Sequence, residues 1–346
     1  MLWNYGVPVS ALEINDGTLF IELTPGDTVD LPATFTAEPN AGIYQILNSV
    51  TTSPKGSPQK LSVARDPGST EIILSGTMPL GGPPRSLGVA IDRPAEYAAA
   101  LLKKLLEAQG ISIVGHARAR HAGYPGADYE ISPAPEQHGM ASQIAVGGSR
   151  AEPAVLAEHV SPPLSDSLRV MAKISQNLHA EMLLRVAALE KTGDSSEDAA
   201  LQFEQDFRVG IGLKENDVVM TDASGLSRRD LVSPQSEVTL LRWATEQPWT
   251  EIFRSLLPVA GEDGTLMDRM QNTPAAGHVW AKSGSLTHVD SLAGYAITSR
   301  GEHLVFSFIG NNHDLKGKAA TDVLDALTVA MVEELGPRRP AARAPK

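Results

Sequence analysis

Residues 116 to about 152 form a run rich in Gly, Pro, His and Ala, and the hydrophobic rhythm of the chain changes across it. Before the run, apolar residues recur every second position in short stretches. After it they recur at helical spacing. The pattern changes to helices after it, so the run reads as the best linker candidate. A length of 346 residues is enough for two to three domains. The expected division is 1–152, β-rich with one helix near 94–109, then 153–336, then a tail at 337–346.

In the first part, "VSALEINDGTLFIEL" alternates apolar and polar residues around Asn15, Asp16 and Gly17, a hairpin signal. "KLSVA", "TEIILSG" and "SLGVAI" are further strand candidates, separated by Pro, Gly and Ser clusters. "RPAEYAAALLKKLLEAQG" predicts a helix, with Pro94 in its first turn and Gly110 at its stop. Tyr97, Leu101, Leu105 and Ala108 give it one buried face, and "ISIVG" follows as an expected strand.

The second part begins with two helical segments, "LSDSLRVMAKI" and "NLHAEMLLRVAALEK", separated by "SQ". "SSEDAALQFEQDFRVGIG", "SEVTLLRWATEQ" and "GTLMDRMQN" are expected helices. Three strands follow, "HVWAKSGSL", "SLAGYAIT" and "HLVFSFIGN", and a last helix from about Ala319 with Leu324, Leu327, Met331 and Leu335 on one stripe. Helices, then an antiparallel sheet, then a closing helix imply an α+β or α/β sandwich domain, a mixed α/β class overall.

Charge and composition narrow the function. With 29 basic and 41 acidic residues the formal charge is −12, which argues against nonspecific nucleic-acid binding. The basic tail "PRRPAARAPK", rich in Pro and Ala, reads as disordered. Cysteine is absent, so thiolate catalysis, cysteine zinc sites and disulfides are excluded. No run of 18 apolar residues exists to span a membrane, and "MLWNYGVPVS" is no secretory signal. The nine histidines show no spacing typical of a metal-binding helix.

Two short constellations carry chemistry. Ser175-Gln176-Asn177 lies at a helix junction, where a hydroxyl and an amide can face a cleft as proton relay and carbonyl clamp. Ser and Asn between helices also serve as N-caps. Lys282-Ser283-Gly284-Ser285 lies on an expected strand. A lysine among apolar residues either faces a cleft or guards a sheet edge against aggregation. Gly284 lets another chain approach closely, and Ser283 can hydrogen-bond a carboxylate.

Together and in this order, the two resemble the later motifs of the penicillin-interacting enzymes, Ser-x-Asn then Lys-Thr/Ser-Gly, which in that set follow a Ser-x-x-Lys. Longer blocks narrow the resemblance. "SPPLSDSLRVMAKISQNLHAEMLLR", "TDASGLSRRDLVSP", "LPVAGEDGTLMDRM" and "AKSGSLTHVDSLAGYAI" resemble the D-alanyl-D-alanine carboxypeptidase/endopeptidase family, the low-molecular-mass class C penicillin-binding proteins. "AIDRPAEYAAALLKKLLEAQGISIVG" is similar to the segment before them, and the resemblance runs from about Trp3 to Gly310. It implies the C-terminal part of a penicillin-binding, β-lactamase-like transpeptidase domain, an antiparallel sheet flanked by helices, with remnants of β-rich inserted domains.

The resemblance also implies roles. Ser175 would relay a proton to the leaving amine and Asn177 would orient the substrate amide. Lys282 would hold the electrostatic field and help Ser283 and Ser285 receive the terminal carboxylate, while Gly284, also in the substrate-binding set, would let the substrate backbone approach. The Ser285 N–H would form half an oxyanion hole. The partners implied are peptidoglycan stem peptides, with β-lactams as covalent inhibitors of the intact family, and the place is the periplasm or cell envelope. No metal or organic cofactor is implied. Gln176 and Ser283 depart mildly from common family residues.

The first motif departs seriously. In the family its serine and lysine lie near the N-terminus, before the inserts, and this chain starts inside insert-like sequence. An N-terminally truncated form, inactive alone, is therefore expected; a noncatalytic peptidoglycan-binding or scaffold protein is the alternative. Ser57-Pro58-Gln59-Lys60 fits the first motif's spacing, but "TTSPKGSPQKLSVARDPGS" has no apolar helical face and reads as a loop entering a strand. Lys191-Thr192-Gly193 reads as a helix end.

Overall fold

From Leu19 onward β1 (Thr18–Thr24) alternates, with Leu19, Ile21 and Leu23 buried and Phe20, Glu22 and Thr24 exposed. That alternation fixes which face of the strand meets a core. The protein is described from a computed structural model at residues 2–119 and 157–334. Contacts divide it into two units, one within 1–159 and one within 160–346. The expected break at 152/153, most of the Gly/Pro-rich run and the 337–346 tail lie outside the described residues.

The first unit is a pair of three-stranded sheets. β1 is central in one, between β2 (Thr34–Glu38) and β6 (Arg85–Ala90), both antiparallel to it. In the other, β5 (Glu71–Pro79) lies between β3 (Gln45–Ser53), parallel to it, and β4 (Lys60–Ala64), antiparallel. Leu19, Ile21, Val50, Ile72, Leu74 and Val89 from both sheets share one core with Tyr97 of α1 (Pro94–Ala108). Each such side chain contributes roughly 1.5–3 kcal/mol on burial.

Three expectations fail in this unit. The Asn15-Asp16-Gly17 turn makes no hairpin with the residues before it. All three have positive φ, and the strand they launch pairs with β2 and β6 instead. Only the first turns of α1 are buried, Pro94 to Ala98, while Leu105 is exposed and Ala108 with it. "ISIVG" is not a strand. Ile111 and Val114 are exposed, and among the described residues the segment has no sheet partner.

The second unit begins with α2 (Leu164–Ile174), α3 (Asn177–Thr192) and α4 (Glu197–Gly210). α5 (Pro234–Thr245) and α6 (Thr250–Leu256) follow, then the antiparallel sheet of β7 (Val279–Leu286), β8 (Val289–Ile297) and β9 (His303–Asn311), in that order. α7 (Ala319–Glu334) closes the unit. Sheet alternation serves two cores. Val279, Ala281, Leu292 and Phe306 pack with Leu324, Met331 and Val332 of α7. Trp280, Tyr295 and Val305 pack with Leu241 of α5 and Phe253 of α6. A sheet flanked by helices is therefore present, as expected.

The α7 stripe differs from its expected form. Leu324 and Met331 are buried with Thr328 and Val332, but Leu327 is exposed. "GTLMDRMQN" is not an α-helix. Gly264–Leu266 makes one 3-10 turn, and Gly264, Met270 and Asn272 all have positive φ, which breaks helical continuation. Among the described residues no helix is long and apolar enough to cross a membrane.

Candidate functional site

The junction between α2 and α3 is a turn of two residues. Ser175 caps the C-terminus of α2 in the left-handed conformation, φ 60° and ψ 50°. Gln176 is the N-cap of α3, its side chain accepting from the Leu178 N–H at 3.3 Å. The capping role thus falls to Gln176, and the Ser175 hydroxyl is turned elsewhere. Asn177 opens α3 and is half-buried.

Lys282 comes to meet it. Its Nζ donates to Ser175 Oγ at 2.7 Å and to the Ser283 carbonyl at 2.7 Å. β7 is an edge strand of its sheet, yet this lysine is half-buried and turned inward. Burial holds its pKa below the ordinary lysine value. Two motifs 107 residues apart in sequence are thereby joined by one hydrogen bond.

The free edge of β7 opens beside that bond. Nearer its start, the edge is covered: Ala260 N–H donates to Val279 O, and Ala281 N–H to Pro258 O, each at 3.0 Å. Strand alternation turns the N–H groups of Ser283 and Ser285 the same way as that of Ala281, away from β8. Gly284 faces Ser291 across the pair, and a Cβ there would stand 2.6 Å from Ser291 Oγ. Gly284 and Ser285 are exposed. The edge thus offers a hydroxyl from each serine and two backbone donors to an extended ligand.

Several residues that the sequence reading gave no role support these walls. Thr265 Oγ1 lies 2.8 Å from Ser283 Oγ. Lys173 of α2 pairs with Asp263 at 2.6 Å and donates to the Leu257 carbonyl at 2.6 Å. Glu181 of α3 accepts the N–H groups of Ala223 and Ser224 at 2.9 and 3.0 Å, pinning the 221–230 loop. From that loop Arg228 donates to the Thr287 carbonyl in the β7–β8 turn. Asp290 pairs with His313 at 2.9 Å behind the same turn. Except for His313, these residues lie in "SPPLSDSLRVMAKISQNLHAEMLLR", "TDASGLSRRDLVSP", "LPVAGEDGTLMDRM" and "AKSGSLTHVDSLAGYAI", but no short pattern within those blocks marks their contacts.

The two similar motifs elsewhere are placed away from such chemistry. Ser57, Pro58 and Gln59 follow a turn, outside any helix or strand, and Lys60 begins β4, so no helical turn returns the lysine to the serine. Lys191 and Thr192 end α3, and Gly193 caps it in the left-handed region, φ 78°.

A helix-flanked antiparallel sheet carrying a lysine-serine-glycine strand against a serine-glutamine-asparagine junction defines the penicillin-binding class of fold. Its likeness to solved structures agrees. Penicillin binding protein 4 (dacB) from Haemophilus influenzae superposes with a TM-score of 0.71 at 22% identity, covering 95% of this chain and 70% of that one. The chain belongs to the D-Ala-D-Ala carboxypeptidase 3 (S13) family, which it matches over residues 1–128 and 134–331.

Among curated relatives, a D-alanyl-D-alanine carboxypeptidase of Actinomadura sp. (strain R39) is 32% identical over 350 residues, 97% of this chain and 59% of that protein. The D-alanyl-D-alanine carboxypeptidase DacB of H. influenzae is 26% identical over 335 residues, 92% of this chain and 63% of that protein. The chain therefore spans about three fifths of the length of these relatives.

Proposed function

We propose that this chain provides the substrate-holding walls of a serine-type D-alanyl-D-alanine carboxypeptidase/endopeptidase acting on peptidoglycan peptides in the periplasm or cell envelope. The observation that carries this reading is the Lys282 Nζ to Ser175 Oγ bond at 2.7 Å, which brings both motifs to one place. The reaction is acyl transfer: a serine hydroxyl adds to the peptide carbonyl, the leaving amine departs with a proton, and water releases the acyl group. Ser175, bonded to Lys282, passes the proton to the amine. Asn177 orients the substrate amide. Ser283 and Ser285 hold the terminal carboxylate in the field of Lys282. The outward N–H of Ser285 stabilises the developing oxyanion.

The finer reading is that this chain alone forms no acyl-enzyme. Its one Ser-x-x-Lys run, Ser57 to Lys60, lies outside any helix and ends at the start of β4, so it lacks the helical turn that brings the base to the hydroxyl. The same placement favours, as a second reading, a protein that binds peptidoglycan without cleaving it. The test is incubation with a labelled β-lactam followed by intact mass and peptide mapping. The expected result is no stoichiometric adduct; a stoichiometric adduct on Ser57 or any other serine of the chain overturns the finer reading.

A further inference from the structure

Asp263, Gly264 and Thr265 are consecutive, and each touches a different part of the site's frame. Asp263 takes two hydrogen bonds from Lys173 Nζ, at 2.8 and 2.6 Å, and one from the Val259 N–H at 2.8 Å. Gly264, at φ +57°, lies against the carbonyl of that same Lys173, where a Cβ would come within 2.5 Å of the oxygen. Thr265 reaches Ser283 across 2.8 Å. Lys173 stands two residues before Ser175 on the same chain segment, and Ser283 stands one residue after Lys282. The three residues therefore bracket the junction wall to the strand wall, independently of the Lys282–Ser175 bond.

We infer that Thr265 is a positioning residue that sets ligand specificity: its hydroxyl donates to Ser283 Oγ, leaving the Ser283 proton to donate outward to a ligand carboxylate. This deepens the proposed function and rests on Ser283 being a carboxylate-binding group. The direction follows from hydrogen-bond inventory. A carboxylate only accepts, whereas each hydroxyl has one proton to give. If Ser283 donated to Thr265, it would present only lone pairs to the carboxylate and repel it. With Thr265 donating, the Ser283 proton is aimed outward before the ligand arrives, so none of the binding is lost in reorienting it. A C-terminal carboxamide keeps one carbonyl acceptor but replaces the second oxygen and the charge with an NH2 donor, so it gains less from that orientation.

The test compares N-acyl-D-Ala-D-Ala with its C-terminal carboxamide in equilibrium binding to the full chain, with Thr265→Val, Thr265→Ser and Ser283→Ala beside the parent. Thr265 is exposed, so the Val variant keeps the melting temperature. The expected result is a carboxylate preference reduced about tenfold in Thr265→Val and Ser283→Ala, not reduced further in the double variant, and restored in Thr265→Ser. Unchanged carboxylate preference in Thr265→Val overturns the inference. A neutron structure of the ligand-free chain reads the deuterons directly. A deuteron on Thr265 pointing to Ser283 supports the relay, and one on Ser283 pointing to Thr265 overturns it. Binding of neither ligand by the parent counts against the proposed function, while the deuteron positions still decide the relay.

Discussion

Lys282 gives a proton of its ammonium to Ser175 Oγ at 2.7 Å, from a half-buried strand to the left-handed residue that ends α2. A charged group at this half-buried place carries a desolvation cost, offset in part by its two hydrogen bonds. It also makes Lys282 a reporter, because burial lowers its pKa from the ordinary value of 10.5.

Stability should reveal that cost. Between the lowered folded-state pKa and 10.5, the unfolded chain binds more protons than the folded one, so stability rises with pH across that window. Below the window the cost is fully present. Lys282→Met is expected to raise the melting temperature near neutral pH by about 2–4 °C, the shift that ~1 kcal/mol produces in a unit of this size. The advantage should shrink as pH rises towards 10.5. Thermal melts of both proteins from pH 7 to 10.5 check this; a difference that stays constant or grows with pH contradicts it.

Gly264 is irreplaceable for a local reason. Its φ of +57° disfavours any side chain, and a Cβ would meet the Lys173 carbonyl at 2.5 Å. Gly264→Ala is expected to destabilise the second unit by about 2–3 kcal/mol. Urea unfolding measures it, and a loss under about 0.5 kcal/mol, the range of neutral surface changes, would show the contact to be soft.

Glu181 holds the 221–230 loop by two charge-assisted bonds, to Ala223 and Ser224. Glu181→Ala is expected to speed amide exchange at those two residues by about 10–100-fold, as loss of ~1.5–3 kcal/mol of local stabilisation implies. Exchange on β8 should remain slow. Uniform acceleration across both elements would mean that Glu181 supports the whole unit instead of the loop.

Arg269 and Asp325 anchor α7, with bonds at 2.6 and 2.9 Å and side chains only 11% and 17% exposed. Removing one partner leaves a mostly buried charge alone. Asp325→Ala is expected to lower stability by about 3 kcal/mol. The double variant Arg269→Met/Asp325→Leu should recover most of that loss, which chemical denaturation of the three variants would show.

The sequence made the second unit more legible than the first. "LSDSLRVMAKI", "SQ" and "NLHAEMLLRVAALEK" are α2, the two-residue turn and α3, because strong periodicity and the Gly193 cap mark them locally. β2 and β3 escaped notice, since their exposed, polar-rich patterns take their identity from long-range partners. "ISIVG" misled for the opposite reason: β-branched residues alone do not make a strand without a neighbour. At the site, the resemblance to family motifs, not spacing alone, singled out Ser175 and Lys282, which one hydrogen bond joins. Thr265, Glu181 and Asp263 could not be read this way, because their roles are contacts with residues far away in sequence and no short pattern encodes them.

The central claim is that the Ser175–Lys282 site holds a D-alanyl-D-alanine terminus. Calorimetric titration of the full chain with N-acyl-D-Ala-D-Ala, against its L-Ala-L-Ala isomer and with Lys282→Met as control, tests this most directly. The account predicts saturable binding, on the order of millimolar or tighter, for the D,D peptide alone, weakened about tenfold or more in the variant. Equal binding of the two isomers, or full binding retained without Lys282, would contradict it.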